Sequence, residues 1–382
     1  MNDDELKYSG DFDEYLRQSE PHKRERAESW KTAIGLQEVD GLKPSSYLLD
    51  TARQHIEGDI TIDEVKDLID SYYQAQAEKT EHIRETEEAD KASINIAKLL
   101  NEKTFSFSPV GYISIHRRIF DGVFKFAGQV RDYNITKREW VLRGDTVLYA
   151  GADEIRSALE HDFSKESEFD YKGLTISDIV KHFARFISNL WQIHAFGEGN
   201  TRTTAVFAIK YLRAMGFEVN NDLFADHSWY FRNALVRANY RNYQRGINPN
   251  AEYLELFFRN LLMGEQNELK NRYLLIDAPK DLPGHNPTSA RQEPDKLPDM
   301  LGADNQSLVK LVNILGKSQM SVREMLTAMG LRDRENFLEG YLNPAVKDGF
   351  IRQLYPDNPK HPRQKYLLTV KGIALYQHLK MS

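Results

Sequence analysis

The strongest constraint on this chain is a long apolar helix that runs into a polar, glycine-bearing loop and then straight into a second apolar helix. Ile176, Ile179, Val180, Phe183, Ile187, Leu190 and Trp191 recur at helical spacing and make one broad stripe. A stripe that wide needs cover on more than one side, so it predicts a central helix of a bundle. The second helix is predicted from about Thr201 to Met215, with Gly216 as its stop. Helical periodicity dominates from about 93 to 265. Between 133 and 149 the pattern changes. Tyr133-Asn134-Ile135-Thr136 and Val141-Leu142 flank a charged patch, and Thr146-Val147-Leu148-Tyr149 follows Gly144-Asp145. That reads as a small β-hairpin in a helical domain.

The flanks read differently. Residues 1–80 predict short helices. Pro44-Ser45-Ser46 opens one, Leu48, Leu49 and Ala52 give it an apolar face, and Gly58 ends it. Thr61 with Glu64 forms a capping box for the next, whose apolar residues are Ile62, Val65, Leu68 and Ile69. Pro279, Pro283, Pro287, Pro294 and Pro298 mark residues 271–302 as a linker, because proline blocks helices and removes donors. Residues 303–382 read as helix–helix–helix–hairpin and look like a winged helix. Ser321-Val322-Arg323-Glu324 starts a capped helix, and Leu331 to Ala345 is the candidate recognition helix. Phe350 to Leu368 holds two strands, with Lys360, His361, Arg363 and Lys365 on the wing. Such modules bind DNA, and also proteins.

Composition excludes several chemistries. The chain has 382 residues, which favours two or three domains, and no cysteine, which removes disulfides, thiolate metal sites and cysteine nucleophiles. No apolar run reaches the ~18 residues of a membrane span. The acidic start Met1-Asn2-Asp3-Asp4-Glu5 is unlike a signal peptide, so a cytoplasmic location is expected. The net charge of −6 disfavours a nucleic-acid coat, although 303–382 is mildly basic and the rest correspondingly more acidic.

The loop His194-Ala195-Phe196-Gly197-Glu198-Gly199-Asn200-Thr201-Arg202 carries the chemistry. Its two glycines permit close backbone approach and positive φ. Backbone N–H groups of Gly199, Asn200 and Thr201 would leave the first turn of the second helix as an anion site. Arg202 in that turn opposes the helix dipole, and a bound phosphate would explain it. Glu198 is a hard oxygen ligand suited to magnesium, and His194 titrates near neutrality and can serve as a general base. Base, carboxylate, anion nest and arginine within nine residues point to phosphoryl or nucleotidyl transfer.

At these residues the chain resembles the Fic/Doc family, whose signature is H-x-F-x-[D/E]-G-N-x-R-x-x-R between two helices. His194, Phe196, Glu198, Gly199, Asn200 and Arg202 fill every position but the last. Upstream, Ile115-His116-Arg117-Arg118-Ile119-Phe120 and Phe126-Ala127-Gly128-Gln129-Val130-Arg131 look like the family's core helix and its turn into a flap at 137–147. The resemblance covers roughly 95–265. It implies a mainly α protein: a Fic helical bundle over 93–270 with a β-hairpin flap, behind an antitoxin-like regulatory region at 1–80 and ahead of the winged-helix-like α+β module.

The resemblance further implies transfer of AMP from ATP, with Mg2+, onto a hydroxyl of a target protein or of the chain itself. His194 would be the base, Glu198 the metal ligand, and Gly199, Asn200, Thr201 and Arg202 the phosphate site. Phe196 would anchor the loop. Ala234-Leu235-Val236-Arg237-Ala238-Asn239 resembles the helix bordering the adenosine pocket, which makes Asn239 a candidate nucleoside contact. The departure is Ala205, where the motif ends in an arginine that grips the γ-phosphate and receives an inhibitory glutamate. The nearest inhibitory segment is Ala33 to Gly41, with Asp40-Gly41 in place of Glu-Gly and Leu36 where Ser or Thr belongs. Asp40 and Gly41 are therefore regulatory candidates in an eroded switch. Two readings stay open: an active transferase, with ATP or another nucleotide as donor, and a non-catalytic nucleotide-sensing regulator that binds DNA or protein. A homodimer is compatible with both.

Overall fold

The computed structural model describes residues 12–18, 20–76, 80–171, 173–217, 219, 222–278, 305–316, 318–354, 362 and 364–381. Among the described residues twelve α-helices precede the linker: α1 Asp13–Gln18, α2 Pro21–Gly35, α3 Ser46–Glu57, α4 Ile62–Gln74, α5 Glu81–Asn101, α6 Pro109–Ile119, α7 Ile155–Glu168, α8 Ile176–Ile193, α9 Asn200–Ala214, α10 Asp222–Asp226, α11 Ser228–Asn239 and α12 Glu252–Met263. Many begin where sequence chemistry places a cap. Ser45 accepts from the Leu48 N–H, and Thr61–Glu64 and Thr175–Asp178 form reciprocal capping boxes. Gly58 closes α3 in the left-handed conformation with φ +91°.

Every residue of the α8 stripe is buried. α8 packs against α7, α9, α11 and α12, so its apolar face is covered on several sides as expected. One core takes in residues from Phe12 to Leu274, with Ala374 from beyond the linker, so α1–α4 share it with the helices that carry the loop. Leu68 departs from expectation: it sits on the helix flank and is exposed.

α9 is unusual in burying a polar first turn. Asn200, Thr201, Arg202, Thr203 and Thr204 are all buried, and each polar side chain finds partners. Thr203 Oγ1 donates to Gly199 O, Thr204 Oγ1 donates to Asn200 O, and Thr201 Oγ1 accepts from Trp191 Nε1.

The hairpin expected over 133–149 is not a strand pair. The segment runs extended into a 3-10 turn, Trp140–Leu142, closed by Glu139 N–H to Asp145 O at 2.9 Å and Gly144 N–H to Glu139 O at 3.0 Å. Its arms are joined instead by side chains: Asn134 Oδ1 accepts from Ala152 N–H at 3.0 Å, and Arg131 reaches both arms. Arg131 Nη1 donates to Tyr133 O at 2.6 Å and Nη2 donates to Ala150 O at 2.6 Å. Side chains do much of the bridging that a backbone ladder would do.

Beyond the linker a second core forms around Leu308, Leu311, Leu315, Met325, Phe337 and Leu342, with Ile351, Leu368 and Leu375. Its order is helix, helix, helix and a two-stranded antiparallel hairpin, Ile351–Gln353 with Tyr366–Leu368, in the register Ile351↔Leu368. A further helix, Val370–Met381, closes it. The proline cluster and the wing residues Lys360, His361 and Arg363 lie outside the described residues. Among those described, no helix is long and apolar enough to cross a membrane.

Candidate functional site

The loop between α8 and α9 is held by its own residues and by the flap. His194 follows the last turn of α8 with φ +50°, one of two non-glycine residues in that region among those described. A side chain there is strained, and persists only where the surroundings hold it. Arg131 supplies the hold. Its Nε donates to His194 O at 2.7 Å, its Nη2 also reaches Ile193 O, and its backbone N–H donates to Ala195 O at 3.0 Å.

The next turn is tied across itself. Phe196 N–H donates to Asn200 Oδ1 at 3.0 Å, and Asn200 Nδ2 donates to Phe196 O at 2.7 Å. His116 stacks on Phe196, with centroids 3.7 Å apart and planes 14° apart. His116 Nδ1 accepts from Gly128 N–H, so its Nε2–H donates to Glu198 O at 3.1 Å. Burial pulls His116 down to about 4, which keeps that neutral tautomer in place. Gly199 is required: with φ +76° it starts α9, and a Cβ there would lie 2.2 Å from the Phe120 ring.

The His194 imidazole is buried beside Tyr149 (4.1 Å between centroids) and edge-on to Trp191. Neither Nδ1 nor Nε2 has a hydrogen-bond partner. Its pKa lies well below the ordinary histidine value, first because of burial and then because of the charges of Lys137, Arg131 and Arg232. A neutral, unpaired imidazole in such a place can accept a proton.

Glu198 points outward, with its side chain 54% exposed, and its Oε2 lies 2.8 Å from Lys137 Nζ on the flap. Among the described residues no three His, Cys, Asp or Glu cluster as a metal cage. One hard carboxylate beside a helix N-terminus fits a cation that takes its remaining ligands from phosphate and water.

Arg202 is 1% exposed and fully engaged. Nη1 donates to Gln37 Oε1 at 2.9 Å, and Nη2 donates to Glu88 Oε1 at 2.7 Å. Nε lies 2.8 Å from Asp40 Oδ2, an ion-pair distance without hydrogen-bond alignment. The guanidinium also covers the Phe120 ring at 4.7 Å. Asp40 ends the 3-10 turn Leu36–Asp40, and Gly41 with φ +72° turns the chain away behind it. The amino-terminal region thus meets the loop at its arginine.

The structure brings His194, Glu198, Gly199, Asn200, Thr201, Arg202, Asp40 and Gly41 to one loop. Asn239 is placed otherwise: its Nδ2 donates to Ser188 O, Ser188 Oγ and Leu235 O, which fastens α11 to α8. Ala205 is fully buried. Sequence reasoning gave no role to Arg131, His116, Lys137, Gln37 or Glu88. Arg131 and His116 lie in the stretches read as the turn and core helix, while Glu88 sits in an acidic run, Glu87-Glu88-Ala89-Asp90, that reads as a solvated face.

Residues 106–212 match the Fic/DOC family, and residues 306–369 match the Filamentation induced by cAMP protein Fic-like, C-terminal domain. A protein adenylyltransferase of Bartonella henselae is 27% identical over 143 residues, which is 35% of this chain and 26% of that protein. The match therefore spans about a quarter of that relative's length. A Fic family protein from Desulfovibrio desulfuricans G20 aligns over 95% of this chain and 94% of its own, with TM-score 0.41 and 17% identity. The N-terminal Fic domain of a Bartonella quintana VirB-translocated Bep effector protein, with bound ADP, aligns over 49% of this chain and 87% of its own, with TM-score 0.40 and 20% identity.

Proposed function

The chain carries a Fic/DOC domain joined to a Fic-like C-terminal domain, and from there we propose that it is a protein adenylyltransferase. In this reading AMP passes from ATP to a hydroxyl of a target protein or of the chain itself. The observation that carries the reading is His194: a buried neutral imidazole with both nitrogens unpaired, at the mouth of a loop that also presents Glu198 and the N-terminus of α9. His194 takes the acceptor hydroxyl's proton. That oxygen bonds to the α-phosphorus, and the bond to the pyrophosphate oxygen breaks. Magnesium held by Glu198 would offset charge on the phosphates and the leaving pyrophosphate. Backbone N–H groups of Gly199, Asn200 and Thr201 would meet the same oxygens. Asn200 would do so by its main chain, since its side chain closes the loop.

Asp40 and Gly41 fit a regulatory role in this reading, because Asp40, Gln37 and Glu88 together hold the arginine a phosphate would need. That full engagement of Arg202 is also what favours the second reading, a non-catalytic nucleotide-sensing body. The division into a regulatory region at 1–80, a catalytic domain at 93–270 and a winged-helix-like module at 303–382 that binds DNA or protein belongs to the proposal as well. Labelling decides between the readings. The full chain is incubated with magnesium and ATP labelled at the α-phosphate or at the γ-phosphate. Transfer of α-label to protein, absent with γ-label and lost in His194→Ala, supports adenylylation. No label from any nucleotide, in self-modification or with lysate protein, sinks it.

A further inference from the structure

The site is short of one cation. The last motif position is Ala205, a fully buried methyl, so no charge comes from there. Among the described residues, Arg131, Arg202, Arg232 and Lys137 bring positive charge to the loop, and the three arginines are committed. Arg131 serves four backbone carbonyls, those of Tyr133, Ala150, Ile193 and His194. Arg232 pairs with the buried Glu139 at 3.0 Å. Arg202 is held by Gln37, Asp40 and Glu88.

Lys137 differs from all three. Its one partner among the described contacts is Glu198 at 2.8 Å, and both ends of that pair reach solvent, with side chains 23% and 54% exposed. Exposed pairs contribute only about 0–1 kcal/mol, so exchanging one partner costs little. A lysine is a point charge on a flexible stem, able to shift from a carboxylate to a neighbouring anion. Lys137 also stands close enough to His194 to depress its proton affinity more than any other charge does. It therefore borders both the proton acceptor and the carboxylate suited to a cation.

We infer that Lys137 is the phosphate-binding cation that the flap supplies in place of the arginine missing at 205, taking the polyphosphate of the nucleotide once a cation draws Glu198 away. The inference rests on the nucleotide-binding part of the reading above and names a residue nothing else assigns. It makes the ion pair a resting state in which two groups needed for the ligand neutralise each other.

The test is calorimetric titration of the full chain with Mg-ATP, for the parent, Lys137→Met and Lys137→Arg, with ligand-free thermal unfolding alongside. Lys137→Met is expected to bind about tenfold more weakly, the loss of one charge-assisted contact. Lys137→Arg is expected to stay within about threefold of the parent, and the unfolding midpoints should coincide. Parent-like or tighter binding by Lys137→Met would show that the lysine merely shields Glu198, and would overturn the inference while leaving the transferase reading intact. Equal loss in both variants would place the role in flap structure and overturn it too. A parent that binds no Mg-ATP would remove the nucleotide reading and this inference together.

Discussion

The two ends of the loop carry opposite polar accounts. His194, at the end of α8, is buried with neither ring nitrogen paired. Arg202, eight residues later in the first turn of α9, is buried with acceptors from a 3-10 turn and from α5 around its guanidinium. Leaving a buried donor or acceptor unpaired costs roughly 1–3 kcal/mol. A buried arginine without partners would be costlier still, and here the chain fills that need itself. One end of the loop leaves its ring nitrogens unpaired, and the other is already occupied by the chain's own oxygens. Any ligand that needs both ends has to displace one of them.

The sharpest break in this comparison is at the open end. Because His194 makes no hydrogen bond through its ring, His194→Ala removes packing and, in the proposed mechanism, the base, but leaves no polar partner stranded. Labelling should fall by about 10²–10⁴-fold, with circular dichroism unchanged. The pH profile tests the same point. The pKa of His194 is lowered, so the neutral base persists as pH falls through the ordinary histidine value of about 6.5. The acid limb of kcat/KM should therefore lie below about 6.5, and should move upward in Lys137→Met, which removes a depressing charge. A limb at or above the ordinary value in the parent would mean that His194 is not the group being titrated.

The middle of the loop comes next. Glu198→Ala should weaken magnesium-dependent nucleotide binding by about tenfold or more, since charge on the phosphates then lacks its protein-held counter-ion. The same change frees Lys137, so binding without magnesium should be less affected than binding with it. Equal affinities for parent and variant in the presence of magnesium would take Glu198 out of the site.

Much of this arrangement is legible in the sequence, for identifiable reasons. The α8 stripe, the caps at Ser45 and Thr61 and the stop at Gly58 are local effects, set by residues within one or two turns. The loop is legible because its residues are contiguous. What could not be read is set by distance along the chain. Arg202 meets Gln37 across 165 positions and Glu88 across 114, and Lys137 meets Glu198 across 61. Nothing local distinguishes Glu88 from its acidic neighbours. The flap misled because turn residues between apolar segments make a hairpin only when the two arms pair, and here Arg131 takes up carbonyls of both arms instead.

Position 205 bears on the comparison from beneath. Restoring the motif's arginine there would be expected, from the sequence, to tighten ATP binding. Ala205 is fully buried in a close-packed helix, so a long charged side chain must push its neighbours aside before it reaches any phosphate. Ala205→Arg should therefore lower stability by about 1–3 kcal/mol in thermal or denaturant unfolding. Tighter ATP binding at undiminished stability would show that α9 can rotate that face toward the site.

The smallest effect belongs to the occupied end. Asp40 is one of three oxygen sources on Arg202, and its contact lacks hydrogen-bond alignment, whereas Gln37 Oε1 and Glu88 Oε1 accept well-aligned hydrogen bonds from it. Removing Asp40 leaves the guanidinium held, so Asp40→Ala should raise labelling by less than about tenfold, under ~1.4 kcal/mol. Because two partners remain, unfolding should also shift little. Removing Glu88 as well leaves a buried charge with one neutral acceptor. The pair Asp40→Ala and Glu88→Ala should then activate more than the two single changes multiplied, while losing stability beyond their sum. Strong activation by Asp40→Ala alone would mean that the aspartate, rather than the three-oxygen cage, keeps this end of the loop closed.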